Sequence, residues 1–290
     1  MDFSVALQIF FSGLNLGSIY AALGLGFFVV YSVTRVLNLA QGEFVMLGGM
    51  LTVSFYTMGI PLAPSILLAV VITALAGAGL YRFIIYPARK SSGVTKVFLT
   101  LGFAFIIEGI ALHIWGWEFK SLPVFFNTPS IQLWGATIFG QTPWVIGITL
   151  LMVIGLFFFF NHTIQGKALR ACANEPLGAK MVGISIERMA LFSLVMAASL
   201  GAVVGALITP LTMTSYSIGL PLTAKGVLAA FVGGITRVEG VILGGFIYGM
   251  IEATTAGFIP GGYHSVIAPA ILVLIFLCRR RGILVIAGKG

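Results

Sequence analysis

Charge is scarce in this sequence. Charged side chains make up 8% of the 290 residues, and acidic ones number only 8, where a soluble domain carries about 25% charged residues. A water-facing surface cannot be built from so little charge. A soluble globular protein is therefore excluded, and most of the exterior is left to lipid. Cysteine is nearly absent: Cys172 and Cys278 have no metal-ligand spacing, and both fall on the side assigned below to the cytoplasm, where disulfides are rare. The histidines, His113, His162 and His264, are scattered. With no catalytic constellation and no metal cluster, the chain reads as a non-enzyme without a cofactor. Gly166-Lys167 lacks the G-x-x-x-x-G-K-[ST] frame of a phosphate cradle, which excludes ATP hydrolysis by the chain itself. Period-2 alternation is missing, which argues against a barrel. Linkers and low-complexity tracts are missing too, so residues 1–290 read as a single membrane domain.

The beginning does not resemble a secretory leader. Asp2 stands where a basic segment is expected, and the apolar run from Phe3 to Thr34 is too long for a leader's core; it reads as a retained span. What the chain does have is apolar bulk, at 59% hydrophobic, and 37 glycines, which let membrane helices approach closely. A spanning helix takes about 20 apolar residues. Such runs lie near 5–31, 36–57, 62–81, 97–117, 143–161, 189–210 and 240–257, with a shorter one near 263–278. The stretch 226–236 is apolar but too short to cross, and reads as a re-entrant half-helix or one arm of a hairpin. The expected fold is all-α: a polytopic transmembrane bundle of eight or nine spans with one short broken or re-entrant segment.

The net charge of +8 does not imply nucleic acid, because the basic residues are confined to breaks between apolar runs. Arg82, Arg89, Lys90 and Lys96 fill one break; Lys167, Arg170, Lys180 and Arg188 fill another; Arg279, Arg280, Arg281 and Lys289 close the chain. The 118–142 break holds only Lys120. The positive-inside rule puts the basic breaks in the cytoplasm and 118–142 outside. Counting back places the N-terminus outside, the C-terminus inside, and Arg35 inside.

The richest polar stretch is 162–188. Lys167 to Asn174 suits an amphipathic helix along the membrane face. Glu175-Pro176 interrupts it, because the residue before proline avoids the helical region, and a second short helix, Leu177 to Val182, stops at Gly183 as a C-cap. This is either a solvated basic loop or a rigid knob on which a cytoplasmic motor docks. The stretch resembles the coupling loop of ABC importer permeases. It is similar to the G-[RK]-A-x-R-A-x-A-x-[DEN]…A…[ML]-x-G-I pattern of the LivH/LivM family of branched-chain amino acid permeases, matched by Gly166, Lys167, Ala168, Arg170, Ala171, Ala173, Ala179, Gly183 and Ile184. Gly17-Ser18-Ile19-Tyr20-Ala21 with Leu37 to Phe44 resembles the family's G-x-x-Y-A-L…N-[FL]-A-[HQ]-G-E. Lys225 to Gly245 resembles its K-A-F…[LV]-G-G-I segment, and Glu252 falls in its G-x-x-E-A. The chain departs from the family at Pro176 and at Arg281-Gly282-Ile283-Leu284, where a Pro-Thr-Gly-Ile-Leu-like tail is usual.

The resemblance implies a translocation subunit without enzyme activity. Its partners would be two cytoplasmic ABC ATPases, a second homologous permease or another copy of itself, and an extracytoplasmic solute-binding protein, all at a bacterial inner membrane. The solute would be a branched-chain or related amino acid, with urea and amides as alternatives. ATPase coupling would fall to Gly166, Arg170, Ala171, Asn174, Ala179 and Gly183. A self-sufficient transporter or channel is the rival, and would need a relay of intramembrane ionisable groups. Candidates along a substrate path are Asn38, Gln41, Glu43, Glu108, Lys225 and Glu252. A charge at the bilayer centre costs about 2.5–3.5 kcal/mol, so Glu43, Glu108 and Glu252 should each face the bundle interior, be protonated, or lie near a helix end. Glu43 reads as a polar contact that shapes the path or gate, or else as an interhelical hydrogen-bond partner or an ion pair with Arg35 or another basic group. Glu108 and Glu252 read more readily as structural hydrogen-bond partners. Lys225 reads as a cation at an outer mouth or as an interfacial lysine.

Overall fold

A backbone in lipid must satisfy its hydrogen bonds internally, so the apolar runs fold as helices. In the computed structural model, which describes residues 3–124, 131–133, 136–138, 140–259 and 267–271, they are α1 (Phe3–Thr34), α2 (Gln41–Thr57), α3 (Leu62–Gly79), α4 (Gly93–Trp115), α5 (Thr142–His162), α8 (Ile186–Thr212), α9 (Gly219–Gly233) and α10 (Val238–Phe258). Helix α3 runs on into a π-helical turn, Leu80–Ile85. Two short helices, α6 (Ile164–Asn174) and α7 (Pro176–Met181), lie between α5 and α8. Besides the helices, β1 (Ile131–Leu133) and β2 (Ala136–Ile138) pair as an antiparallel hairpin, and Lys120 forms an isolated antiparallel bridge with Thr214. Among the described residues six helices are long and apolar enough to cross a membrane, which makes this a multi-pass membrane protein. Residues 267–271 are helical; the rest of the 263–278 run, with His264, Cys278, the Arg279–Arg281 triplet and the tail, lies outside the described residues.

Glycine sets the packing of the centre. Helix α1 runs antiparallel to α10, and a Cβ at Gly13, Gly17 or Gly24 would strike Met250, Phe246 or Val241 in turn. Helix α2 runs parallel to α8: Gly201 faces Phe44, Gly48 faces Ala202, and Gly205 lies against the backbone of Val45 and Gly49. Small residues at such crossings bring backbones within van der Waals reach. Helices α3, α4 and α5 surround this centre and expose Leu67, Leu75, Phe98, Ile114, Leu151 and Phe157, the face a lipid belt would wet.

Two elements differ from the expected spans. The run near 36–57 is helical only from Gln41. Residues 35–38 leave the helix, with Arg35 at φ 54 ending α1. The freed amides find side chains instead: Val36 N–H donates to Thr34 Oγ1 at 3.2 Å, Leu39 to Thr100 Oγ1 at 3.0 Å, and Ala40 to Asn38 Oδ1 at 3.2 Å. Residues 226–233 of the short apolar stretch are the end of a longer helix, α9, which starts at Gly219 after a non-helical segment that follows Met213 at φ 59; residues 234–236 turn out of it. Both α2 and α9 therefore begin inside the bundle. Gln41 donates to Ala197 O at 3.0 Å, eleven residues past the start of α8, about 16 Å along it.

Two contacts tie the ends of α1 to the polar segments. At its start, Gln8 exchanges two hydrogen bonds with the Thr137 backbone, at 3.1 and 2.7 Å. Beyond its end, Arg35 Nη2 donates to Ala173 O of α6 at 2.6 Å. The hairpin and the α6–α7 segment thus lie at opposite ends of one 32-residue helix.

Candidate functional site: a helical knob and a polar centre

The α6–α7 segment is built by local rules. The Thr163 hydroxyl caps α6 by accepting from Gly166 N–H at 2.9 Å. Helix α6 starts a turn earlier than its amphipathic pattern suggested and ends at Asn174 as expected. Glu175 turns extended, at φ −142 and ψ 89, and α7 begins on Pro176. Its C-terminus closes with Gly183 at φ 84: Gly183 N–H donates to Lys180 O at 3.1 Å and Ile184 N–H to Ala179 O at 3.0 Å, the paired bonds of a Schellman cap.

Below, Gly166, Leu169 and Cys172 bury one face of α6. Gly166 sits so close to Phe159 and Phe160 that a Cβ would collide with their backbone. Burial pushes the Cys172 thiol up, keeping it protonated and inert. Ala179 is buried under α7, while Arg170, Asn174 and Gly183 face outward and Ala171 is half-buried. Arg170 donates to Asn161 Oδ1 at 2.8 Å. On the outer face stand Leu177, Met181 and Val182, exposed by 70%, 87% and 76%.

The polar centre divides into two groups. Lys225 and Glu252 come together: Nζ lies 2.6 Å from Oε1, and Tyr20 Oη donates to Oε2 at 2.6 Å while accepting from Lys225 at 3.3 Å. The Tyr248 ring packs against Tyr20 with centroids 4.9 Å apart. The Lys225 side chain is 22% exposed. It sits within α9 and neutralises Glu252 inside the bundle, joining α1, α9 and α10. Buried charges are tolerated when paired and hydrogen-bonded. Tyr20 was not among the sequence candidates, although it lies in the Gly17–Ala21 motif. Two opposite charges in separate apolar runs were the available signal, because such charges seek each other and a further polar partner.

The second group is at the start of α2. Asn38, Gln41 and Glu43 are all fully buried or nearly so. Gln41 Nε2 reaches Ala197, but its Oε1 has no partner among the described residues, and neither has Asn38 Nδ2. Glu43 does not pair with Arg35, which is turned to Ala173. Both its carboxylate oxygens are buried without a partner among the described residues. Gly42 N–H donates to Thr223 Oγ1 of α9 at 2.9 Å, and Thr223 Oγ1 donates to Leu39 O at 3.2 Å, so the starts of α2 and α9 are stitched together. Glu108 of α4 is half-buried and close enough to act electrostatically on Glu43. No group of His, Cys, Asp and Glu among the described residues is arranged to hold a metal.

Against known proteins, the family described as "Branched-chain amino acid transport system / permease component" matches residues 9–276. The chain is 29% identical over 298 residues to the high-affinity branched-chain amino acid transport system permease protein LivH of Salmonella typhimurium, an alignment covering 98% of this chain and 96% of that protein. It is 27% identical over 188 residues to the xylose/arabinose import permease protein XylH of Sulfolobus acidocaldarius, covering 63% of this chain and 49% of that one. A solved structure, PsaBC from Streptococcus pneumoniae in complex with Fab, aligns with a TM-score of 0.49 at 13% identity, covering 94% of this chain and 91% of that chain.

Proposed function

The chain belongs to the permease-component family of branched-chain amino acid transport systems, and from that premise we infer that it is the translocation subunit of a binding-protein-dependent ABC importer in a cell inner membrane. It would carry a branched-chain or related amino acid, driven by two cytoplasmic ATPases and fed by an external binding protein, beside a second permease or another copy of itself. The observation that carries this reading is the knob. Leu177, Met181 and Val182 stand exposed on a two-helix segment fixed by the Thr163 cap of α6 and the Gly183 closure of α7, outside the six span-length helices. Exposed apolar side chains on a rigid support are what a docking protein buries. Closure of the ATPases on ATP would rock the knob, and with it α5 and α8, opening the path outward; hydrolysis would reset it.

Leu177→Asp tests the docking. It changes an outward side chain and leaves the caps alone. Uptake and recovery of the ATPase with the permease should both fall by about ten-fold or more, the scale of a lost hot-spot residue, at matched membrane levels of the permease. Normal uptake together with normal ATPase recovery would remove the knob's assignment.

The orientation follows from the basic breaks, with α6 and α7 cytoplasmic and the β1–β2 hairpin outside. The full count would be nine crossings of a single membrane domain: the six long helices, residues 35–57 and 213–233 with their non-helical starts, and the run near 263–278. Single cysteines in place of Gln132 and Met181, in a background lacking Cys172 and Cys278, should react with an impermeant maleimide from opposite sides of the membrane. Labelling of both in intact cells would reverse or break the topology.

A further inference from the structure

Glu43 carries a buried carboxylate with no partner among the described residues. Glu43 is 0% exposed. A protonated carboxyl would donate a hydrogen bond, and an ionised one would accept several, yet neither oxygen finds a partner among the described residues. The carboxylate lies directly against the first residue of α9: a Cβ on Gly219 would collide with its Cδ and both oxygens. Helix α9 is 15 residues long, and its first N–H groups have no acceptor within the helix. Pro221 removes one such donor and leaves those of Gly219 and Leu220. An acidic side chain and a helix N-terminus thus meet inside the bundle, where neither is solvated.

The surroundings add a third feature. Met46, Leu47 and Met50 follow Glu43 at three, four and seven residues, one face of α2. With Ile107 and Ala111 of α4 they form an apolar cluster separate from the main core, with Tyr216 and Ile218 of the segment leading into α9 packed on it. Methionine repacks readily around different shapes.

The geometry points to a site for a zwitterionic aliphatic amino acid between α2 and α9. Its ammonium meets Glu43, its carboxylate meets the Gly219 and Leu220 amides, and its side chain enters the Met46–Met50–Ile107 cluster. Helix N-termini favour anions, and broken membrane helices place such termini at substrate sites. In the present conformation Gly219 occupies the ammonium's place, so the site forms when the starts of α2 and α9 separate. The inference deepens the proposed function and rests on it.

The test is direct binding of radiolabelled leucine to the purified permease–ATPase complex in nanodiscs, without the binding protein, beside leucine uptake by cells expressing the whole system. Glu43→Gln should weaken leucine binding by about ten- to a hundred-fold, the loss of a hydrogen-bonded charge pair, and Glu43→Asp should restore part of it. Met50→Ala should lower the ratio of leucine to alanine binding by about ten-fold. Wild-type binding in Glu43→Gln overturns the site. If Glu43→Gln does not assemble, an unchanged leucine-to-alanine ratio in Met50→Ala overturns it instead. Leucine uptake by cells with no leucine bound to the wild-type complex overturns the site and leaves the importer reading standing. Failure of the whole system to take up any branched-chain amino acid overturns both.

Discussion

Replacing Lys225 by methionine should cost about 3–5 kcal/mol of stability, because it leaves the Glu252 carboxylate buried with its counter-charge gone. Glu252 is 5% exposed, and the ion pair is short at 2.6 Å. Tyr20 alone, donating one hydrogen bond at 2.6 Å, cannot replace an ammonium. The single change should therefore lower the midpoint of thermal unfolding in detergent and the yield of folded protein. The double change Lys225→Met with Glu252→Met should recover most of the loss, since replacing a whole buried pair by apolar side chains is often neutral. The coupling between the two sites, read from the four proteins of the cycle, should be well above 0.5 kcal/mol. A Lys225→Met protein as stable as the wild type would show that the pair stabilises nothing.

A comparable loss is expected where α2 crosses α8. A Cβ at Gly205 would collide with the Val45 carbonyl and Gly49 N, both backbone atoms that no rotamer can move aside. Gly205→Leu should force the helices apart, at the upper end of the ~1–3 kcal/mol typical of overpacking or beyond it, and should abolish the monodisperse peak in size-exclusion chromatography. Gly155→Leu is the control. Nothing lies within 4 Å of a Cβ there, and leucine suits a helix better than glycine by up to about 1 kcal/mol. Equal behaviour of the two variants would mean that α2 and α8 do not pack as described.

What was legible in the sequence was what local chemistry dictates. The α6–α7 break falls at Glu175-Pro176 and the cap at Gly183, because proline and a left-handed glycine act through their own dihedral angles. Long apolar runs became helices with ends close to those read from hydropathy. The start of α2 was misread because Val36, Leu37, Leu39 and Ala40 are as apolar as a helix. Their departure from it depends on the Thr100 hydroxyl, 61 residues away, and hydropathy carries no trace of that. The partnership of Lys225 with Tyr20 spans 205 residues, beyond any local pattern. Taken alone, Lys225 pointed toward the surface; Glu252 pointed to a structural hydrogen bond, which it makes with Tyr20, but not to its partner. The proposed substrate contacts at α2 were half visible. Asn38, Gln41 and Glu43 stand out as polar residues in an apolar run, but only the fold shows that Glu43 lies against the start of α9 and that Gln41 is turned to α8.

The pairing of Lys120 with Thr214 closes two hydrogen bonds, each 2.8 Å, between the α4–α5 loop and the segment ahead of α9. Bonds arranged side by side across a short bridge share a load and break together. The loop is thereby pinned at Lys120 to a point five residues before Gly219, so the non-helical segment 213–218 is held at both ends, by this bridge and by the first turn of α9.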